Sequence, residues 1–179
     1  MPLVYVTGIS GAGKSAVLQE LRRRGYEAFG VDEDGYGRWL DRRTGEELPY
    51  PSEGNTVNPY DWYAEHNWVL DVSKIAELKK RVDRDGTRVF LCGVAAGDSE
   101  AWQQFDVVCA LVIDEATIRT RIALRDDSWY GKQPHELDQI LAWNVGYADR
   151  YRRFGAVIID ATKPLPVVVD AVIAAADGS

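Results

Sequence analysis

The sequence predicts an α/β protein in which a parallel β-sheet is covered by helices on both faces. Short apolar runs alternate with helical patterns along the chain, and such runs are typical of strands buried in a parallel sheet. The length of 179 residues suits one domain, and neither an internal repeat nor a long linker divides it. We therefore expect a single three-layer α/β/α domain over residues 1–179, with excursions from the sheet at about 33–85 and 126–135.

Five apolar runs are the predicted strands, and each is followed by Gly or Asp: Leu3–Thr7, Tyr26–Val31, Val89–Cys92, Val107–Ile113 and Ala156–Ile159. The predicted helices carry apolar residues at intervals of three and four: Ser15–Arg24, Ser73–Val82, Glu115–Arg125, Glu136–Phe154 and Leu165–Ala176. Shorter helical patterns occur near Tyr36–Asp41 and over Tyr60–Asn67, and residues 44–54 have the composition of a loop.

Composition and charge narrow the class of protein. The net charge is −7 and there is no basic stripe, which argues against nucleic acid as the main partner. No apolar run approaches the roughly 18–20 residues of a membrane span, and the N-terminus lacks the basic segment of a signal peptide. Cys92 and Cys109 lie inside predicted strands, where we expect buried free thiols. A cytoplasmic protein without a membrane partner is the expectation.

The strongest motif is a glycine-rich loop, Gly8-Ile9-Ser10-Gly11-Ala12-Gly13-Lys14-Ser15. It follows a predicted strand and opens a predicted helix, the context in which the P-loop pattern GxxxxGK[ST] binds nucleotide phosphates. Lys14 would reach the β- and γ-phosphates, and the Ser15 hydroxyl would bind Mg²⁺. The backbone around the phosphates would come from Gly8, Ser10, Gly11, Ala12, Gly13 and Ala16. ATP and Mg²⁺ are the predicted cofactors.

Two further segments, Gly30-Val31-Asp32-Glu33-Asp34 and Val112 to Arg125, complete a resemblance. With the P-loop, they make the chain similar to P-loop small-molecule kinases of the nucleoside-monophosphate-kinase and shikimate-kinase type. The resemblance implies a five-stranded parallel sheet of order 2-3-1-4-5, a short lid, and a small-molecule acceptor for the phosphoryl group.

Asp32 and Asp34 resemble the Asp-x-Asp that shikimate kinase-like enzymes place after the second strand. There the first carboxylate lies near Mg²⁺, and the second binds or deprotonates the acceptor hydroxyl. A carboxylate suits this task because it can accept the hydroxyl proton as transfer proceeds. The alternative is that one of them caps the following helix. Either could be the base; we favour Asp32, and we expect Ser15 and Asp32 as the protein partners of Mg²⁺.

Arg121 and Arg125 lie four residues apart on one helix face, beside a predicted lid at Asp126 to Lys132. In the family, arginines here clamp the phosphates, with Arg119 as an alternative in this chain and Lys132 as a further contact. A solvated basic face is the other interpretation. Thr162 lies in a segment that resembles the loop bordering the adenine, although an N-cap threonine explains it nearly as well.

The chain departs from these families around the acceptor. No carboxylate ends the third predicted strand, the triple glycine of shikimate kinases is missing, and so is the arginine pattern that recognises an acceptor phosphate. The excursion offers instead a group of aromatic and polar residues that would stack a ring or form a small core: Trp39, Tyr60, Asp61, Trp62, Tyr63, His66 and Trp68. Arg38, Arg42 and Arg43 would bind an anionic acceptor or, as we prefer, form a surface face.

The sequence therefore favours an ATP-dependent phosphotransferase acting on a nucleoside, a nucleotide or another hydroxyl metabolite. The alternative is a nucleotide-dependent switch or accessory ATPase that acts through a protein partner, which the missing third-strand carboxylate supports. A nucleotide-binding module without chemistry is disfavoured, since Lys14 and Ser15 are both intact. Neither the acceptor nor the oligomeric state follows from the sequence.

Overall fold

The computed structural model describes residues 1–49, 65–126 and 130–178. Its centre is a parallel sheet of five strands: β1 Leu3–Gly8, β2 Glu27–Gly30, β6 Val89–Cys92, β7 Val107–Val112 and β8 Val157–Asp160. Their order is β2-β6-β1-β7-β8. Counted along the chain, these five strands follow the order 2-3-1-4-5, which confirms the predicted topology.

Within residues 1–49, 65–126 and 130–178, six α-helices and a 3₁₀ helix pack around the sheet: α1 Lys14–Arg23, α2 Val72–Asp85, the 3₁₀ helix Asp98–Gln104, α3 Glu115–Leu124, α4 Pro134–Asn144, α5 Tyr147–Arg153 and α6 Leu165–Asp177. Helices α1 and α6 pack against each other, while α2 packs on the 3₁₀ helix and α5 on β7 and β8. Within the described part of the chain, no helix combines the length and apolar character that crossing a membrane requires.

Strand β1 is the centre of the core. Leu3, Val4, Tyr5 and Val6 are fully buried, because β1 lies between β6 and β7 and helices cover both of its faces. Val6 is paired with Cys92 on one side and with Cys109 on the other. Both cysteines are buried and free, as predicted.

A second, antiparallel sheet of order β4-β3-β5 follows β2 and differs from the prediction. Its strands are β3 Gly37–Asp41, β4 Glu47–Leu48 and β5 His66–Leu70. The predicted short helix over Tyr36–Asp41 is wrong, since Trp39 of β3 lies directly opposite Trp68 of β5. Such cross-strand aromatic pairs stabilise a sheet, and the partner strand is too distant in sequence for a local pattern to reveal. In the predicted helix Tyr60–Asn67, residues 60–64 lie outside the described residues, and His66 belongs to a strand.

The predicted helix Glu136–Phe154 is also wrong, because it consists of α4 and α5. Gly146, at the junction, has a φ of 67°, a left-handed conformation that ends the first helical path and begins a second. The change of direction buries Tyr147 and Tyr151, whose rings stack with centroids 4.3 Å apart. The apolar spacing continues across the break, so periodicity alone did not show it.

Candidate active site

The glycine-rich loop joins β1, which ends at Gly8, to α1, which begins at Lys14. A side chain at Gly8 has no room, because an added Cβ would lie 2.8 Å from the Ala12 Cβ and 3.0 Å from the Leu111 carbonyl oxygen. Gly11 and Gly13 have φ values of 86° and 93°, in the left-handed region that favours glycine. No side chain caps the N-terminus of α1. The N–H groups and the positive end of the helix dipole are therefore available to bind an anion.

Lys14 lies inside this loop. Its Nζ donates hydrogen bonds to the carbonyl oxygens of Gly8 (2.7 Å) and Ile9 (3.1 Å). Burial lowers the pKa of Lys14 to about 8, the nearby Asp32 carboxylate opposes that lowering, and the Arg125 guanidinium adds to it. The ammonium group thus lies within electrostatic reach of Asp32 on one side and Arg125 on the other.

Asp32 lies two residues beyond the end of β2. The residue between them, Val31, donates its N–H to the Cys92 carbonyl oxygen and so extends the pairing of β2 with β6. The Asp32 side chain is open to solvent at the mouth of the site, yet the protein atoms around it raise its pKa. The charge of Lys14 lowers that pKa and the charge of Glu33 raises it. Asp32, after the carboxyl end of β2, and Lys14, at the start of α1, are therefore near enough for the charge of each to act on the other.

Asp34 has a different environment. One of its carboxylate oxygens, Oδ2, accepts hydrogen bonds from the Gly30 N–H (2.7 Å) and from Nη2 of Arg22 (2.6 Å). These contacts close the turn after β2 and attach it to α1; Asp34 caps no following helix, since the next element is strand β3. Glu33 was not singled out from the sequence. Its carboxylate lies against Gly30, where an added Cβ would collide with it. The only sequence signal for Glu33 was the acidic run itself.

Arg121 and Arg125 of α3 both reach the glycine-rich loop. Arg121 donates from Nη1 to the carbonyl oxygens of Gly11 (3.3 Å) and Ala12 (3.5 Å), and from Nη2 to that of Ala161 (2.8 Å). It therefore fastens the loop to the segment after β8. Arg125 donates to Ser10 Oγ (3.0 Å) and to the Tyr130 carbonyl oxygen. The alternative, Arg119, pairs with Glu115 on the surface of the same helix.

Lys132 and Thr162 have structural contacts. The Lys132 Nζ donates to the carbonyl oxygens of Ala123 (3.3 Å) and Arg125 (2.5 Å), and so caps the end of α3. The Thr162 hydroxyl donates to Asp160 Oδ1 at 2.6 Å. The N-cap explanation for Thr162 is wrong, because α6 begins at Leu165 and Pro164 precedes it. Residues 127–129 of the predicted lid lie outside the described residues.

The oxygen donors that the sequence predicted for Mg²⁺ are the Ser15 hydroxyl and the Asp32 carboxylate. Within residues 1–49, 65–126 and 130–178, no three His, Cys, Asp or Glu side chains are grouped to hold a metal by themselves. Mg²⁺ is usually bound through one or two protein oxygens, with substrate phosphates and waters completing the octahedron. A site with few protein ligands, next to a phosphate-binding loop, fits that pattern.

Known structures share this architecture. The chain is similar to a shikimate kinase from Aquifex aeolicus (17% identity, 98% of this chain, 96% of that chain, TM-score 0.53). It is also similar to a deoxyadenosine kinase from M. mycoides (15% identity, 99% of this chain, 100% of that chain, TM-score 0.53). A third similar structure is a gluconokinase from Sinorhizobium meliloti 1021 (18% identity, 96% of this chain, 89% of that chain, TM-score 0.53). No protein-family model matches the sequence, and no curated protein matches it.

These similarities define a fold class. The chain has the P-loop fold of the nucleoside-monophosphate-kinase and shikimate-kinase type, with the strand order and the phosphate-binding loop expected of it. At identities of 15–18% the likeness shows the fold alone. The chemistry must therefore be argued from the residues of this site.

Proposed function

We propose that this protein transfers the γ-phosphoryl group of ATP to a hydroxyl group of a small molecule. The observation that carries the proposal is the mutual charge interaction of Asp32 and Lys14, which follow β2 and β1 at the carboxyl edge of the sheet. Ligands of open α/β sheets bind at this edge. A phosphate-binding cation and a carboxylate that can take a proton are the two groups that such a transfer needs.

In the proposed reaction the acceptor oxygen forms a bond to the γ-phosphorus. The bond from that phosphorus to the β,γ-bridging oxygen breaks, ADP leaves with the electron pair, and the hydroxyl proton passes to Asp32. A raised pKa makes the Asp32 carboxylate a better proton acceptor than an ordinary aspartate. Mg²⁺ held through Ser15 and Asp32 would neutralise phosphate charge.

The basic residues divide the remaining work. Lys14 would leave the carbonyl oxygens of Gly8 and Ile9 for the phosphate oxygens. Arg125 borders the loop at Ser10 and would contact the transferring group from the lid side. Arg121 would act by holding the glycine-rich loop in shape, because its guanidinium is already bonded to three carbonyl oxygens. The proximity of Asp32 to Lys14 favours this phosphotransferase over a partner-dependent switch, which has no need of an acceptor-side carboxylate.

ATP affinity should fall as the pH rises above about 8. Phosphate oxygens bind the charged form of Lys14, and in the free protein that form is lost as pH passes the pKa of about 8. The dissociation constant for a non-hydrolysable ATP analogue with Mg²⁺, measured by calorimetry from pH 7 to 9.5, should rise by up to about tenfold per unit above pH 8. Lys14→Arg keeps its charge and should give a flatter profile. Identical profiles for both proteins would contradict this assignment.

The proposed function is tested by ADP release from ATP and Mg²⁺ in the presence of nucleosides, nucleotides, sugars and hydroxy acids. We expect one acceptor class to accelerate release and to yield a phosphorylated product by mass spectrometry. Release without any acceptor gives the background hydrolysis rate. Slow release that every acceptor leaves unchanged, but that a protein partner accelerates, would overturn the phosphotransferase in favour of the switch.

A further inference from the structure

We infer that the acceptor is a hydroxyl-bearing ring compound without a phosphate or carboxylate group, and that Trp68 positions it beside Asp32. This inference rests on the proposed function and adds the substrate class. It comes from two observations: the charge of the acceptor side of the site, and a buried indole N–H that interacts with Asp32 without forming a hydrogen bond of ordinary geometry.

The acceptor side of the site is acidic. Asp32 and Glu33 are close enough for the charge of Glu33 to raise the pKa of Asp32. Glu33 also lies against Gly30, at the end of β2. The cation near them is Lys14, which is held within the phosphate-binding loop. An anionic acceptor would therefore meet two like charges.

Five basic side chains on or beside α1, α2 and the second sheet are held by other groups. Each has an acidic or carbonyl partner: Arg22 with Asp34, Arg38 with Glu47, Arg42 with the His66 carbonyl oxygen, Lys74 with the Gly35 carbonyl oxygen, and Arg81 with Glu27. Arg43 lies in the turn between β3 and β4, at the end of the second sheet away from Gly37. Gly37 lies at the other end of β3, where its N–H donates a hydrogen bond of 3.2 Å to the Val31 carbonyl oxygen.

The segments outside the described residues do not change this balance of charge. Residues 50–64 and 127–129 contain no lysine, arginine or histidine in the sequence. Proteins that bind a carboxylate or a phosphate usually supply an arginine fork or a lysine for it. Beyond the groups already assigned to ATP, this region has no such residue to offer.

The second sheet presents aromatic rings to the same place. Residues two apart on a strand share a face, so Gly37 and Trp39 of β3 lie on one face with Trp68 of β5. The rings of Trp39 and Trp68 are 5.2 Å apart, and an added Cβ at Gly37 would collide with the Trp68 ring. Arg38 belongs to the opposite face. The Ala96 N–H bonds the Trp68 carbonyl oxygen at 2.7 Å and ties β5 to the loop after β6.

The indole N–H of Trp68 connects this aromatic face to Asp32. Its nitrogen is buried and forms no hydrogen bond of ordinary geometry, but the N–H interacts with the Asp32 carboxylate and lowers the pKa of that group. A buried donor whose hydrogen bond is poorly formed is costly, so a ligand oxygen that accepts this bond gains binding energy. An acceptor hydroxyl held between the Trp68 N–H and the Asp32 carboxylate satisfies both groups, with its ring against the indoles.

The test uses matched pairs of acceptors that share one ring: nucleosides with their 5′-monophosphates, and neutral sugars with the corresponding sugar acids. We expect kcat/KM to be at least about tenfold higher for the member without the anionic group. A preference for the phosphate or carboxylate member overturns the inference and leaves the proposed function standing. Acceleration by no member of either type overturns the proposed function, and this inference with it.

Trp68→Phe tests the indole N–H, since it keeps a ring and removes the donor. We expect KM for the acceptor to rise by about 5- to 10-fold, with KM for ATP unchanged. The matched control is Trp143→Phe, at a half-exposed position on α4. A purely structural role for Trp68 predicts that both KM values change together, or that neither does, and either result overturns the positioning role.

Discussion

Replacing Lys14 with alanine should lower the rate of acceptor phosphorylation by at least about 10²–10³-fold, the usual cost of losing one group that stabilises transition-state charge. Lys14 is the cation at the centre of the glycine-rich loop, and its Nζ already lies against the carbonyl oxygens that frame the phosphate site. The measurement is kcat for the acceptor that accelerates ADP release most, followed by product formation.

Loss of activity in a Lys14 variant should not come from unfolding. Burial lowers the pKa of Lys14 to about 8 in the folded protein, from an ordinary value of 10.5, so the buried charge opposes folding at neutral pH. That destabilisation is present below pH 8 and disappears as the pH rises towards the unfolded-state pKa. We therefore expect Lys14→Met to be at least as stable as the wild type at pH 7 in thermal unfolding. A folded Lys14→Ala protein that retains acceptor phosphorylation would contradict the role of Lys14.

Replacing Asp32 with asparagine should lower kcat by about 10²–10⁴-fold, the range for loss of a general base. Asparagine has nearly the shape of aspartate but accepts no proton at neutral pH. ATP affinity should change much less than kcat, because the glycine-rich loop and Lys14 remain. The pH dependence of kcat should also change: the wild type loses activity as the pH falls through the raised pKa of Asp32, and the variant should lack that limb.

Asp34→Asn is the matched control, two residues further along the same turn. The Asp34 carboxylate accepts hydrogen bonds from the Gly30 N–H and from Arg22. Its loss should lower the free energy of unfolding by about 1 kcal/mol, a small value because solvent screens the partly exposed ion pair. We expect the activity of this variant to stay within a few-fold of the wild type. The opposite result, an inactive Asp34→Asn and an active Asp32→Asn, would move the base to Asp34.

Much of the fold could be predicted from the sequence because its signals are local. The glycine-rich loop needs glycines in the left-handed conformation at positions 11 and 13, and a glycine at position 8, where a Cβ has no room. All three lie within one short stretch of sequence. Three of the five parallel strands, β1, β6 and β7, are buried from end to end or nearly so, and burial of that kind produces the continuous apolar runs by which they were recognised. Their order was implied by the resemblance and confirmed by the structure.

The errors in the prediction have a common physical cause. Strand β3 is stabilised by β5, whose residues come after the whole connecting segment, so the helical pattern near Tyr36 was the stronger local signal. The break at Gly146 depends on the burial of Tyr147 and Tyr151 against the rest of the protein. In both places tertiary contacts outweigh local preference.

The sequence by itself determined a phosphate-binding loop after the first strand of a parallel sheet, with acidic residues after the second strand. It did so because turn conformation and strand burial are properties of neighbouring residues. Only the tertiary structure distinguished the two aspartates: the charge of Lys14 acts on Asp32, whereas Asp34 is bonded to Arg22. Only the tertiary structure brought Trp68 to Asp32 and Arg121 to a loop 110 residues away. Those relations depend on which surfaces pack together, and packing joins residues that no local pattern connects.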